Sequence, residues 1–538
     1  MPKPAILALA ALLTLTAHAQ RNVKIQLLAI NDLHGNLEPP SGPAGMVNST
    51  PAGGVEYLAT HLARARRTNL HTLVVSSGDL FGASPLLSSL FKDQPTIEAA
   101  NAFHLDLNAL GNHELDHGPA ALRTQLRAAK FHFLAANTVL AADPTHTLFP
   151  PIAIRSIGGV RIGFIGEILH DAPAIIATNS IKDLRFEEES RVANAAAARL
   201  ERQGVHTIVL LIHVGGFQRP PRLPDGSLAP IDPNACENFG GEIKDLAPKL
   251  SPSIQLVLSA HTHNFYNCEI AGHRVTSAGS YGRLFTRIHL SIGLATGKPL
   301  RIEATNEIVT RDVPKDPAQT AILERYRPQV ARIASQPAGT IAASFTRTHN
   351  PAGESTLGDL IADAELDIMS SPANGSAQIA VMNSGGIRAD LTQPTGATNP
   401  TPVTFANLYA VQPFGNTLTT HTLTGDQLKR VLEQQFHPGS TNPNIMQISA
   451  GFTYTYRINA EPGEHIVAMQ LNGRPIAPTD KLRIAASDFL SAGAEGLTVF
   501  REATDPTIGP ADVDAFVTYI KAHSPATPAP TNRITRLD

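Results

Sequence analysis

Five polar motifs in the first half of the chain each follow directly on a short apolar stretch. The apolar stretches have the length and composition of buried strands, and helical patterns such as the one at 55–67 lie between them. This alternation predicts an α/β fold, in which the carboxyl ends of strands bring loops together at one edge of a sheet. The motifs are Asp32-Leu33-His34, Gly78-Asp79, Asn112-His113, His213 and His261-Thr262-His263.

The side chains of these motifs form the ligand set that two neighbouring divalent cations require. Carboxylate oxygens and imidazole nitrogens suit Zn²⁺ or Mn²⁺, with Co²⁺ and Mg²⁺ as alternatives. Asp79, at a Gly-Asp turn, is predicted to bridge the two ions. The other ligands divide into Asp32, His34 and His263 for the first ion and Asn112, His213 and His261 for the second. One such motif alone would more often have a structural role or occur by chance. All five together, each at a strand end, predict a two-metal phosphoesterase.

His113 directly follows a metal ligand, so its side chain is predicted to point elsewhere and to act on substrate. A histidine beside two cations can donate a hydrogen bond to a phosphoryl oxygen or protonate the leaving group. Asp116 lies one helical turn further on and can orient the imidazole and favour its charged form. Glu114 is predicted to start a helix or to support a ligand rather than to bind metal.

The N-terminus has the pattern of an export signal. Lys3 precedes an apolar segment at 5–15, and Ala17-His18-Ala19 forms a cleavage site. We therefore expect residues 1–19 to be removed and the mature protein to be periplasmic or secreted, with a retained N-terminal anchor as the alternative. No later segment of the sequence is long and apolar enough to cross a membrane, so no span is expected in the mature chain.

The two cysteines of the chain, Cys236 and Cys268, lie on either side of the strand that leads to His261. In an oxidising compartment an even pair predicts a disulfide, which would brace the loop that carries His261. Two buried free thiols are the alternative.

The overall charge restricts the class of partner. A net charge of −3 at pH 7 excludes the basic surface expected of a protein that binds duplex nucleic acid. Acidic small-molecule substrates must therefore be met by local groups such as metals and a few arginines. No motif indicates an obligatory protein partner.

A chain of 538 residues is too long for one core, so two domains are expected. Asp316-Pro317 is typical of a helix start, and the pattern that follows predicts an amphipathic helix at 318–333 that Pro328 interrupts. We take 20–315 as the first domain, 316–340 as a linker helix and 341–538 as the second domain. The second domain is predicted to contain helices at 357–369, 426–434 and 512–523 and strands at 379–382, 452–457 and 482–486.

The five motifs closely resemble those of the metallophosphoesterases, and the chain after its signal segment is similar to the 5′-nucleotidase family, which includes bacterial bifunctional UDP-sugar hydrolase/5′-nucleotidases. The resemblance rests on Asp32-Leu33-His34-Gly35-Asn36, Ser77-Gly78-Asp79, Gly111-Asn112-His113-Glu114, His213 and Ala260-His261-Thr262-His263. It implies a first domain built as a four-layer α/β/β/α sandwich and a second α/β domain that binds the nucleoside. It also implies that the second domain rotates about the linker helix to carry substrate to the metals.

The resemblance further implies a substrate site in the second domain. Asn383-Ser384-Gly385-Gly386-Ile387-Arg388 looks like the family's Asn-x-Gly-Gly-Ile-Arg turn, in which glycines allow close backbone approach and the arginine contacts phosphate or ribose. Phe414 and Phe489 lie in segments that resemble the two base-stacking segments, with core packing as their alternative role. Glu495 stands where the family usually has an aspartate that holds the ribose hydroxyls. Arg347 is the nearest candidate for a further phosphate-side arginine.

Together these features predict an exported hydrolase of nucleotide phosphate esters, with a 5′-nucleotidase as the first choice. Cleavage of the pyrophosphate of a UDP-sugar and opening of a 2′,3′-cyclic phosphodiester suit the same centre. Hydrolases of sulfur compounds share the metal site but would not need Phe414 and Phe489. A protein that binds nucleotides without catalysis is the remaining alternative, and the complete ligand set counts against it.

Overall fold

The computed structural model describes residues 22–40, 42–176, 178–221, 229–394, 396–397, 399–436 and 443–538. The predicted signal segment at 1–19 lies outside these ranges. Within them, no helix combines the length and the apolar character needed to cross a membrane. The described elements form two α/β domains joined by one long helix.

The first domain is built around two six-stranded sheets. Its strands, in chain order, are β1 (Asn22–Ile30), β2 (Met46–Val47), β3 (Thr50–Pro51), β4 (Thr72–Ser76), β5 (Leu107–Ala109), β6 (His132–Leu134), β7 (Thr138–Leu140), β8 (Ile152–Ile157), β9 (Val160–Ile168), β10 (Leu184–Phe186), β11 (Thr207–His213), β12 (Leu256–Leu258), β13 (Phe265–Ile270), β14 (His273–Ala278), β15 (Leu284–Gly293) and β16 (Pro299–Ile308). Its helices are α1 (Val55–Thr68), α2 (Leu86–Ser89), α3 (Gln94–Ala102), α4 (Gly118–Gln125), α5 (Ala172–Ile175), α6 (Thr178–Ile181), α7 (Glu189–Arg202) and α8 (Glu242–Leu246). The strand orders are β16-β15-β1-β4-β5-β6 and β13-β14-β12-β11-β9-β8.

Strand β1 shows why the two sheets pack face to face with helices outside. Ile25, Leu27 and Ala29 join an apolar cluster to which the facing sheet also contributes, whereas Leu28 and Ile30 join the cluster that contains residues of α1. Because both faces of the strand are buried, its sequence is a nearly continuous apolar run. The first domain is therefore the four-layer α/β/β/α sandwich that the resemblance implied.

One long helix, α9 (Pro317–Ala334), follows the first domain. The carboxylate of Asp316 accepts hydrogen bonds from the backbone N–H groups of Ala318 and Gln319, as expected of an N-cap. The predicted interruption at Pro328 is wrong, because the helix continues through it. A proline inside a helix costs about 3 kcal/mol, but buried residues on both sides of it, Leu323 and Val330 among them, hold the two halves in line.

Helix α9 is fastened to the first domain along most of its length. The hydroxyl of Tyr326 donates to Glu98 at 2.9 Å, and the Nε atom of Arg327 donates to Glu38 at 2.9 Å. The helix also contacts the segment Phe405–Val411 of the second domain. Contacts with both domains therefore hold the helix in place.

The second domain contains a five-stranded and a four-stranded sheet. Its strands are β17 (Pro337–Ile341), β18 (Ile379–Met382), β19 (Thr401–Thr404), β20 (Thr417–Thr424), β21 (Gln447–Ile448), β22 (Phe452–Tyr456), β23 (Ile466–Leu471), β24 (Arg474–Pro475), β25 (Lys481–Ser487), β26 (Thr504–Ala511) and β27 (Ile534–Arg536). Its helices are α10 (Thr356–Met369), α11 (Phe405–Val411), α12 (Gly425–Glu433), α13 (Asp488–Ser491) and α14 (Asp512–Ala522). The sheet orders are β21-β18-β25-β20-β26 and β24-β23-β22-β27, and β17 pairs with β19.

Cys236 and Cys268 form a disulfide, which confirms the predicted pairing. The bond joins residues 32 positions apart and ties the segment before α8 to strand β13. Cys268 is buried in the outer core of the first domain. The disulfide therefore braces the region that follows His261 and His263.

We expect the double change Cys236→Ser and Cys268→Ala to lower the free energy of unfolding by about 2–4 kcal/mol, because the unfolded chain regains the entropy of an open loop. Denaturant titration of the mature protein measures the loss. Wild-type protein treated with a reductant is the matched control, and its free energy of unfolding should fall by a similar amount. Equal stability of the oxidised, reduced and substituted proteins would contradict a stabilising role.

Candidate metal centre and substrate cavity

Loops at the carboxyl ends of five strands carry the predicted metal ligands towards one point. Strands β1, β4 and β5 are parallel neighbours in one sheet, and β11 and β12 are parallel neighbours in the other. Because parallel strands end at the same edge of a sheet, their loops converge. Asp32 and His34 follow β1, Asp79 follows β4, Asn112 follows β5, His213 ends β11, and His261 and His263 follow β12.

The ligand atoms form two adjoining groups, within each of which the atoms lie no more than 4.8 Å apart. One group is Asp32, His34 and His263, and the other is Asp79, His213 and His261. The Nε2 atom of His34 also lies 3.5 Å from the Oδ2 atom of Asp79. Asp79 thus contacts both groups, where the sequence analysis expects a bridging carboxylate.

Two buried atoms of the centre show that the residues fit a pair of cations. In the described part of the chain, Oδ1 of Asn112 has no hydrogen-bond partner, and Nε2 of His213 faces Oδ2 of Asp79 at 3.1 Å. The Nδ1 atom of His213 lies 2.9 Å from the carbonyl oxygen of Ser77, so Nδ1 carries the proton and Nε2 presents a lone pair. A buried polar atom without a partner costs about 1–3 kcal/mol, and a cation would remove that cost. Imidazole, carboxylate and amide donors suit divalent ions.

The backbone of the ligand loops is held in the left-handed region, which side chains other than glycine rarely adopt. The φ angles are 48° at Asp32, 47° at His34, 49° at Asp79, 76° at His261 and 57° at His263. Gly111 allows these loops to approach closely, since a Cβ atom there would lie 2.3 Å from Oδ1 of Asp79. Backbone strain of this kind is concentrated at functional sites, where the surroundings enforce it.

Two buried polar residues position the ligand loops. The carboxylate of Glu114 accepts three backbone N–H groups, including those of Asp79 at 3.0 Å and Gly111 at 2.8 Å. This agrees with the expectation that Glu114 supports a ligand. The amide of Asn31 donates to Oδ2 of Asp32 at 2.7 Å. The sequence analysis missed Asn31, although its place directly before a ligand was a signal.

Burial and mutual contact shift the pKa values of the ligands in different directions. Burial raises the pKa of Asp32. Burial acts to lower the pKa of His213, but the carboxylates of Asp79 and Asp32 outweigh it and raise that pKa to about 10. Burial and the neighbouring His213 lower the pKa of His261 to about 3. Protons and cations compete for these atoms, so metal binding weakens as the pH falls.

His113 lies beside the ligand groups with its imidazole held by Asp116. Its Nδ1 atom is 2.9 Å from Oδ2 of Asp116, which leaves Nε2 as the free nitrogen. Burial lowers the pKa of His113, but Asp116 and Asp79 reverse this and leave it above its usual value. One of its ring nitrogens also lies within 4.8 Å of ligand atoms of His34 and Asp79. The arrangement suits a residue that donates a proton to a group held at the centre.

A cavity of about 1620 Å³ lies between the two domains and reaches the metal centre. From the first domain, the predicted site residues that line it are Asp79, Asn112, His113, Asp116, His261 and His263. From the second domain, it is lined by the substrate residues implied by the resemblance other than Arg347, namely Asn383, Gly385, Gly386, Arg388, Phe414, Phe489 and Glu495. Asp32, His34 and His213 lie buried beneath it.

Phe414 brings the second domain into direct contact with the metal centre. Its ring stacks on His113 with 5.6 Å between ring centres, and the guanidinium of Arg388 lies 5.6 Å from the Phe414 ring centre. The amide of Asn383 donates to Glu495 at 2.5 Å, so these two residues form one polar unit on the cavity wall. The substrate side and the metal side therefore share one space.

The structure also departs from the sequence analysis at the cavity wall. Gln435, Asn444 and Met446 line the cavity but follow no recognisable motif. Arg347 does not line it; its Nε atom lies 3.2 Å from Asp390, and this ion pair takes it away from the substrate side.

Residues 25–265 match the family model described as calcineurin-like phosphoesterase, and residues 330–502 match the one described as 5′-nucleotidase, C-terminal domain. A cell wall protein of Listeria monocytogenes is 30% identical over 94% of this chain and 68% of its own length. The chain belongs to the 5′-nucleotidase family. Together with the two His/Asp groups, this makes the protein a metal-dependent phosphoesterase.

The relatives of this chain differ in the activities that their names give. An endonuclease of Bacillus subtilis is 29% identical over 94% of this chain, which spans 40% of that relative's length. The crystal structure of a 5′-nucleotidase precursor from Thermus thermophilus matches with a TM-score of 0.79 at 24% identity, over 96% of this chain and 100% of that chain. This structural match establishes the two-domain fold, while the substrate is a separate question.

Proposed function

We propose that the protein is an exported 5′-nucleotidase, which hydrolyses nucleoside 5′-monophosphates to nucleoside and phosphate. The contact between His113 and Phe414 carries this proposal, because it joins a candidate proton donor beside the metal ligands to a candidate base-stacking ring. The disulfide and the cell wall relative support export.

In this proposal the seven ligand residues hold two cations, Zn²⁺ or Mn²⁺. Asp32, His34 and His263 would hold one, and His213 and His261 would hold the other with the unpartnered Oδ1 of Asn112. Asp79 contacts both groups and would serve both ions. Bound cations neutralise charge on the phosphoryl oxygens and lower the pKa of a water molecule.

The other cavity residues bind and orient the nucleotide. The nucleobase stacks on Phe414 and Phe489, the guanidinium of Arg388 attracts the phosphate, and Glu495 accepts hydrogen bonds from ribose hydroxyls. His113 donates its Nε2 proton to the leaving nucleoside oxygen, and Asp116 keeps the imidazole in the orientation that this requires.

The size of the cavity favours a second candidate, hydrolysis of the pyrophosphate bond of a UDP-sugar. Sites for small molecules usually enclose about 300–1,000 Å³, and this cavity of about 1620 Å³ has room for a larger substrate. A 2′,3′-cyclic phosphodiester would use the same groups. All these reactions require the metal centre.

A substrate panel tests the proposal. Phosphate release from AMP and cleavage of a UDP-sugar and a 2′,3′-cyclic nucleotide are measured with Mn²⁺, Zn²⁺, Co²⁺ and Mg²⁺, together with the metal content of the protein. Fastest turnover of AMP supports a 5′-nucleotidase. A protein that bound nucleoside but retained no metal and released no phosphate would be a non-catalytic binder.

We expect Phe414→Ala and Phe489→Ala each to raise KM for AMP by about 5-fold to 100-fold, because stacking on one base contributes about 1–3 kcal/mol. Hydrolysis of a small aryl phosphate should change little. Phe436→Ala is the matched control, since Phe436 is half-buried in the second domain and stacks on His465 outside the cavity. Equal losses on AMP and the aryl phosphate would contradict a role in base binding.

A further inference from the structure

A second cluster of metal-ligating side chains lies in the first domain, separate from the dinuclear ligand set. His170 follows β9, Glu189 begins α7 and Glu242 begins α8. One ligand atom from each lies within 4.8 Å of the other two. The sequence analysis did not identify this cluster, because its members come from three elements and share no motif.

The imidazole of His170 is oriented as in a metal ligand. Its Nδ1 atom lies 3.5 Å from Oε2 of Glu189, and its Nε2 atom lies 3.0 Å from Oδ1 of Asp171. The carboxylate of Asp171 favours a proton on Nε2 and leaves Nδ1, on the side of Glu189, free to bind a cation. The backbone N–H of His170 donates to Oε1 of Glu189 at 2.6 Å, which holds that carboxylate in place.

A buried carboxyl group lies behind the cluster. Along β9, Glu167 shares the face of Ile165, which packs in the cluster that contains α7 residues. Glu167 is fully buried, and neither of its oxygens has a hydrogen-bond partner in the described part of the chain. Burial and the charges of Glu189 and Glu188 raise its pKa well above the usual range.

The charges around the cluster favour a cation. Among the described residues, no lysine or arginine lies within 4.0 Å of Glu189 or Glu242, and Arg191 pairs with Glu187 at 3.1 Å instead. Lys249 acts on Glu242 only from a distance, and Arg191 acts likewise on Glu167. Glu242 is exposed, but Glu189 is buried, and a buried carboxylate is stable when it is paired or coordinates a metal.

We propose that His170, Glu189 and Glu242 form a third divalent-cation site, which takes Zn²⁺ or Mn²⁺. One imidazole and two carboxylates, with water in the remaining position, are a ligand set that zinc accepts. Asp171 orients the histidine through its contact with Nε2.

The site connects two segments that border the substrate cavity. Helix α5 directly follows Asp171, lines the cavity through Ala174 and Ile175, and contacts the segment Ala494–Gly496 of the second domain. Helix α8 is held to the loop after His213, where the N–H of Ile243 donates to the carbonyl of Gly215 at 3.1 Å. A cation at this site therefore braces the cavity wall without touching the substrate.

The test counts the ions bound per chain. Mature full-length protein is equilibrated with Zn²⁺ or Mn²⁺, freed of excess metal and analysed by elemental mass spectrometry. Wild-type protein should hold one ion more per chain than His170→Ala and Glu189→Gln. When bound metal is removed from all three proteins, the wild type should lose more thermal stability than either variant. Glu189→Gln keeps an oxygen that can accept the N–H of His170.

His146→Ala is the matched control, because His146 pairs with Asp143 at 2.6 Å on the surface and belongs to no three-residue ligand group in the described chain. It should keep the wild-type metal content. Equal metal content in wild type and His170→Ala would overturn the proposal. If Glu189→Gln failed to fold, His170→Ala would decide alone, since its side chain is 44% exposed. The difference in ion count does not depend on which substrate the enzyme hydrolyses.

Discussion

Replacing His213 with alanine is expected to lower kcat/KM for AMP at least about 1,000-fold, since two cations provide most of the charge stabilisation in phosphoryl transfer. His213 is fully buried, and its Nε2 atom lies 3.1 Å from Oδ2 of Asp79. Its loss removes a ligand from the group that also contains Asp79 and His261. Initial rates and metal analysis of the same preparation measure both consequences.

Asn112→Ala should have the same effect, because its buried Oδ1 atom has no hydrogen-bond partner in the described part of the chain and is free to bind an ion. His132→Ala is the control, as His132 is an exposed histidine on β6 of the same domain. If His213→Ala bound one ion fewer and kept full activity, the second ion would not be needed for catalysis. That result would contradict the two-metal mechanism.

Replacing His113 with alanine is expected to lower kcat by about 100-fold to 10,000-fold, the usual contribution of a positioned general acid. The metal content should remain unchanged, because the hydrogen bond from the His113 backbone to Asp79 at 2.9 Å does not involve its side chain. Pre-steady-state phosphate release combined with metal analysis separates chemistry from metal loss.

Asp116→Asn should give a smaller loss of kcat in the same direction, because the imidazole would keep its place but lose its charged partner. A substrate with an acidic phenol as leaving group needs little protonation and should be hydrolysed almost normally by both variants. Loss of a metal ion from His113→Ala would assign this side chain to the ligand set instead.

Much of the fold was predictable because strands and helices follow local patterns. The buried strands of the first domain are apolar on both faces, and each ends where its ligand motif begins. The helix over 317–334 was predictable from its cap at Asp316, whereas its passage through Pro328 was not. A proline lowers helix stability locally, and only contacts with distant residues compensate for it.

The candidate metal centre was predictable for a related reason. Each ligand motif is short, and the carboxyl ends of parallel strands must meet, so the two ligand groups follow from strand order. The contact between Phe414 and His113 could not be inferred in this way, because it depends on how the two domains pack. Gln435, Asn444 and Met446 were missed for the same reason.

The sequence by itself determined which donor atoms the chain possesses, because the chemistry of a ligand belongs to its residue type and its motif. Only the tertiary structure decided which donors meet. His170, Glu189 and Glu242 are far apart in sequence and carry no pattern. The fold nevertheless places their ligand atoms, which come from the segment after β9 and the first residues of α7 and α8, within 4.8 Å of one another. Proximity between distant residues arises from the burial of apolar surface shared by many elements, and no single stretch of sequence contains that information.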